Sequence, residues 1–184
     1  TLIPDKSELV ESVNVPVSEA DRKIVQARIL KLKQDIQSSS GKEGVNLAES
    51  YLKLGNSYEF LGELKAARES YLAAAKQNPF IALPWGNLGT LYQSMGSPTL
   101  AKEALEKAVS IEPTVALNWG KLADLTRYKL GGGEPEVSEV YKRGFAATNG
   151  LLDLHHSYAR YLEATDKPGQ ARLEWQYIVK KNPK

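Results

Sequence analysis

"YLKLGNSYEFLGELKAARESYLAAAKQNPF" fills residues 51–80, and "WGNLGTLYQSMGSPTLAKEALEKAVSIEPT" fills residues 85–114. Laid over one another at an offset of 34 residues, the two align an aromatic (Tyr51, Trp85), a Leu-Gly pair (Leu54-Gly55, Leu88-Gly89) and a Tyr (Tyr58, Tyr92). Further on they align Ala67 with Ala101, Ala74 with Ala108, and Pro79 with Pro113. Counted from Ala48 and Ala82, these are positions 4, 7, 8, 11, 20, 27 and 32 of a repeating unit. The first four lie three or four apart, so they share one face of a helix. Small residues at positions 8 and 20 let a second helix approach closely, and the aromatics fill the space beside them. Proline at position 32 ends the second helix, because it biases the preceding residue away from helical dihedrals.

A third unit opens at Ala116 with Trp119 and Leu122, but Ala123 and Thr126 replace the Gly and the Tyr. "LGGGEPE" then lengthens its turn by two residues, after which Val137, Tyr141 and Gly144 regain the register. A fourth unit begins at Leu152, with Tyr158, Ala159 and Leu162 in its first helix and Ala171, Trp175, Ile178 and Pro183 in and after its second. A helix pair of this kind cannot bury its apolar face alone, so neighbours must stack. The expected fold is therefore all-α, a solenoid whose first helices line a concave face and whose second helices form the convex one.

The 34-residue pattern of aromatic, Leu-Gly, Tyr, Ala, aromatic and Pro resembles the tetratricopeptide repeat (TPR). That resemblance implies a right-handed α-α superhelical solenoid of TPR helix pairs, here with an extra N-terminal helix. The segments read as an extended lead-in at 1–17, an N-terminal helix and flexible joint at 18–47, and repeats at 48–81, 82–115, 116–151 (degenerate, with the insertion) and 152–184. The N-terminal helix is expected from the Ser18–Asp21 capping pair, the closing Gly41, and the stripe Val25, Ile29, Leu32 and Ile36. It reads as a cap packed on the first repeat, with a partner-binding segment as the alternative.

Composition narrows the function. The 184 residues are 42% hydrophobic and 25% charged, with 24 basic against 22 acidic side chains and no Cys. A net charge of +2 favours neither nucleic acid nor an anionic membrane as partner. Without Cys there is no disulfide framework, thiolate metal site or Cys nucleophile. No apolar run is long enough for a membrane span. With Thr rather than Met in first place the chain reads as processed or trimmed and soluble in this form, no signal segment is read in it, and its compartment stays unassigned.

Candidate chemistry gives way to packing at each place it arises. His155 and His156 are adjacent and point about 100 degrees apart on a helix, so they cannot share a metal. "SSSGKE" lacks the leading Gly and the final Ser or Thr of a phosphate loop. "GGGEPE" is a lengthened turn, and "NPF" at 78–80 is accounted for by the repeat proline. No cofactor and no enzyme activity are expected.

What the family resemblance implies instead is a peptide or helix of a partner held in the groove of first helices, with a structural or assembly segment of a longer scaffold as the alternative. Carried over by position, the groove residues are Leu52, Asn56, Leu83, Asn87, Thr90, Lys121, Asp124, Arg127 and Arg160. Asn56 and Asn87 also stand where TPR carboxylate clamps place their asparagines, and Lys121 could stand for the clamp arginine. Leu52 and Leu117 replace the two clamp lysines, so a charge-assisted grip of that type is not expected. In the last helix Trp175 and Ile178 should pack inward, leaving other apolar side chains on an open end suited to self-association.

Overall fold

The computed structural model describes residues 9–42 and 45–182. The first part of the lead-in, two residues of the joint, and Pro183 lie outside the described residues. Among the described residues the regular structure is entirely helical: α1 (Glu19–Ser39), α2 (Ala48–Phe60), α3 (Leu64–Gln77), α4 (Leu83–Ser94), α5 (Pro98–Ile111), α6 (Ala116–Tyr128), α7 (Glu134–Thr148), α8 (Leu152–Glu163) and α9 (Pro168–Lys181). The chain is an all-α solenoid of helix pairs. It falls into two compact units, Thr1–Ala104 and Leu105–Lys184, whose border lies within α5.

In the first unit the reversal between paired helices depends on a left-handed residue. Gly62, between α2 and α3, has φ 76°, and Gly96, 34 residues later between α4 and α5, has φ 81°. Only glycine enters that region without steric cost. The close approach expected of position 8 is equally plain. A Cβ on Gly55 would sit 2.5 Å from the Tyr71 ring, so α2 and α3 touch through a missing methyl group. Tyr71, Ala67, Ala74, Leu88, Leu91 and Met95 are fully buried there.

N-terminal to these pairs, α1 is capped by Ser18, whose hydroxyl accepts the Asp21 amide hydrogen bond at 3.1 Å. It lays Val25, Ile29 and Ile36 into the same apolar cluster as α2. This is the packing expected of a cap, although Leu32 of the stripe stays half-buried. The segment before it does more than lead in. The Val10 amide donates to the Met95 carbonyl at 3.1 Å and Val13 to Gly62 at 2.9 Å, while Lys65 donates to Glu11 at 2.9 Å. Residues 10–13 therefore strap the turns of two successive pairs together.

The second unit is built on the same logic with looser turns. Gly131 (φ 65°) turns the inserted loop between α6 and α7, and Asp166 (φ 58°) turns α8 into α9. Gly144 admits Leu154 and Trp119, which a Cβ would approach to 2.7 and 3.0 Å. Leu122, Leu125, Leu154 and Leu162 form the buried interior. Glu106 on α5 and Arg143 on α7 make a two-pronged ion pair at 2.7 and 3.0 Å, and the same guanidinium lies over the Trp119 ring.

Candidate functional site

In the first unit, Asn56 on α2 and Asn87 on α4 meet. The Asn87 side-chain amide donates to the Asn56 carbonyl oxygen at 3.3 Å. Tyr71, rising from α3, sets its hydroxyl 2.7 Å from that oxygen and 2.6 Å from a Glu59 carboxylate oxygen. Its single proton serves these two acceptors in alternation. Burial, with Glu59 beside it, pushes the Tyr71 hydroxyl far above its ordinary pKa, so it stays a donor at every physiological pH. The Asn pair is thus held from below by Tyr71. Nearby, Leu83 is largely exposed, and Thr90 is exposed with its hydroxyl 3.4 Å from the Gly86 carbonyl.

Leu52 is the exception. It is 8% exposed and joins the cluster that contains Val25, Ile29 and Ile36. The expectation that it lines a groove assumed an open first helix, and α1 covers that position. Trp85 and Tyr92 are half-buried against the core rather than within it.

In the second unit the expected residues converge. Asp124, Arg127 and Arg160 line one concavity of about 310 Å³ between α6 and α8, with Tyr128, Tyr141 and Tyr161 among its walls. Arg127 donates to the Ala164 carbonyl at 3.0 Å and stacks over Tyr128 and Tyr161 at 4.6 and 5.3 Å, so its guanidinium is fixed. Arg160 is exposed and forms no ion pair among the described residues. Burial raises the Asp124 carboxyl above its usual pKa, and the two arginines only partly oppose the shift. The Tyr141 hydroxyl donates to the Ser157 carbonyl at 3.3 Å and closes the floor. Lys121, half-buried on α6, is already engaged by other groups.

The histidines separate as adjacent helical residues must. His155 is sandwiched by Phe145 and Tyr177 and bonds Glu174 at 2.5 Å, whereas His156 meets the edge of Trp175. No group of three or more His, Cys, Asp or Glu among the described residues could hold a metal, and no helix there is long and apolar enough to cross a membrane. On α9 only Ala171 is buried. Trp175 and Ile178 are half-buried rather than fully inward, and the Trp175 ring nitrogen donates to Glu163 at 2.8 Å. Leu173 and Val179 are exposed.

Stacked helix pairs whose first helices carry paired amides and guanidinium groups define a helical-repeat protein. The tetratricopeptide repeat family profile matches residues 48–80 and 83–115. Those two stretches are tetratricopeptide repeats, and the fold of the chain is that of solved proteins built from such repeats. Among solved structures it is similar to MamA (19% identical, TM-score 0.61, covering 91% of this chain and 96% of that one). It is also similar to a thermophilic TPR protein of Thermus thermophilus (14% identical, TM-score 0.59, 90% and 87% covered). A third is YrrB, described as a TPR protein with an unusual peptide-binding site (15% identical, TM-score 0.56, 89% and 81% covered). At these identities the likeness is one of fold. No curated protein sequence matches the chain.

Sequence reasoning did not find the strap at residues 10–13 or the tie from Tyr71 to Glu59 and Asn56. The second was available: Glu at position 12 and Asn at position 9 lie one turn apart, opposite the aromatic of position 24.

Proposed function

We propose that this chain is a non-enzymatic interaction module that holds a peptide or helix of a protein partner against its first helices. One observation carries the reading: Asp124, Arg127 and Arg160 share a single concavity. The fixed Arg127 and the exposed Arg160 together suit an acidic side chain or a chain-terminal carboxylate, which a guanidinium binds through two parallel hydrogen bonds. Asp124 is placed to accept a main-chain N–H of the same peptide. Tyr141 and Tyr161 shield one side of the concavity, which strengthens the bonds made against them. The likeness to YrrB, whose description includes peptide binding, supports the class of ligand but not the residues.

The test is a fluorescence-anisotropy titration with labelled peptides that differ only in one acidic residue or in an amidated C-terminus. Arg160→Ala should weaken the acidic peptide by about tenfold, the scale of a charge-assisted bond. The loss should shrink as salt rises, because the site is partly open to solvent. Equal affinity for acidic and neutral peptides, in wild type and variant alike, would remove the reading.

A further inference from the structure

A largely apolar groove of about 560 Å³ runs along α9, floored by Pro168, Ala171, Trp175 and Val179. It shares no lining residue with the concavity on α6 and α8. Ala171, Trp175 and Val179 are positions 20, 24 and 28 of the repeating unit. Two other helices carry the same face, and each lies against a further helix. On α3 the three positions are Ala67, Tyr71 and Ala75, all buried, and α3 packs against α4. On α7 they are Val137, Tyr141 and Phe145. There Tyr141 meets the Tyr158 ring of α8 at 4.7 Å, and Phe145 stacks on His155 at 4.3 Å.

The bond from position 24 to position 12 recurs as well. The Tyr71 hydroxyl donates to Glu59 at 2.6 Å, and the Trp175 ring N–H donates to Glu163 at 2.8 Å. The face of α9 is therefore set on α8 in the way that the face of α3 is set on α2. Yet Val179 is 67% exposed where Ala75 is 6% exposed, so among the described residues the α9 face lacks the helix that covers its counterparts.

Those counterparts say what fits. Both α4 and α8 offer an aromatic (Trp85, His155), a large residue three positions on (Leu88, Tyr158) and a small one next to it (Gly89, Ala159). Residues at i, i+3 and i+4 share one side of a helix. Because His155 meets position 28 and Tyr158 meets position 24, the covering helix runs antiparallel, with its first turn over position 28. Next to that position on α9 stands Lys180. Arg172 and Lys180 form no ion pair among the described residues and only Glu163 opposes them, so the groove carries two positive charges to one negative. Acidic residues in the first turn of an incoming helix answer that charge and suit the helix dipole. A second copy of this chain fits poorly. Leu88, Leu122 and Leu162 keep the matching faces of α4, α6 and α8 buried in place, and α9 against α9 would gather four cations around two anions.

We infer that this face of α9 docks an amphipathic helix of a partner protein, with an aromatic, a large apolar and a small residue at i, i+3 and i+4 and acidic residues in its first turn. The aromatic lies over Val179, the large apolar residue over Trp175, and the carboxylates beside Lys180.

Residues 82–97 have this apolar pattern and no charged side chain, so a synthetic copy of them is a neutral frame for the test. Two labelled copies, each stapled into a helix and led by either two glutamates or two lysines, are titrated into the intact chain and followed by fluorescence anisotropy. The glutamate copy should bind saturably and at least about tenfold more tightly than the lysine copy. Val179→Asp, at an exposed position where circular dichroism should report an unchanged fold, should weaken the glutamate copy by at least about tenfold. Lys180→Glu should erase its advantage over the lysine copy. Failure of both copies to bind saturably would overturn the inference, as would equal affinity of the glutamate copy for wild type and Val179→Asp. Dimerisation of the chain alone in sedimentation, abolished by Val179→Asp, would give the face to a second copy and overturn it too.

Discussion

At the scale of single residues, two tryptophans at the same repeat position have different fates. The Trp119 ring N–H donates to the Pro113 carbonyl at 2.8 Å. The ring nitrogen of Trp85, 34 residues earlier, is buried with no hydrogen-bond partner among the described residues. An unpaired buried donor costs about 1–3 kcal/mol, and a net hydrogen bond contributes about 1 kcal/mol. Replacing each by Phe removes the same ring atoms, so the loss of volume largely cancels in the comparison. Trp119→Phe is expected to destabilise by at least about 1 kcal/mol more than Trp85→Phe, which should be close to neutral. Urea denaturation of the two variants measures the difference. Equal losses would mean that both positions contribute only bulk. The sequence made the two tryptophans look alike, since the period reports position and not the acceptor a ring finds.

At the scale of elements, the helix pairs of the first unit were legible because their small and large residues recur in register. Gly55, Ala67 and Tyr71 were readable as a close approach before any geometry was known, and the 2.5 Å gap bears that out. The strap was not legible. Val10 reaches Met95 across the first two helix pairs, and hydrogen bonds between main-chain groups leave no mark on side-chain identity. Leu52 was misread for a related reason, because repeat position 5 says nothing about a helix outside the repeat that lies over it. The two turn glycines isolate the contribution of the strap. Both have positive φ, so Ala at either incurs about 1 kcal/mol of backbone strain. At Gly96 a new Cβ meets nothing within 4 Å, but at Gly62 it would fall 2.1 Å from the Val13 carbonyl oxygen. Gly62→Ala should therefore be the more destabilising by a further 1–2 kcal/mol or so, through loss of the Val13 contact. Melting curves of the two variants decide this, and matched midpoints would show that the strap contributes nothing.

For the molecule as a whole, the repeat and the fold were legible in residues 48–115, where two repeats match position for position, and α6 to α9 add two further helix pairs. The functional reading was legible only as a set of positions. Helical spacing puts Asp124 and Arg127 on one face of α6, and the resemblance to the repeat family implied that Arg160 of α8 would face the same groove. That Arg127 is locked by Ala164 and flanked by tyrosines, while Arg160 forms no ion pair among the described residues, depends on tertiary packing that no local pattern encodes. The central claim is that this concavity holds the acidic group of a partner peptide. Titration of isotope-labelled protein with the acidic peptide, followed by amide and Arg side-chain chemical shifts, tests it most directly. The account predicts saturable shifts clustered at Asp124, Arg127, Arg160 and Tyr161, absent with the amidated, neutral peptide. Shifts confined to α7 and α9, or the same shifts with either peptide, would contradict it.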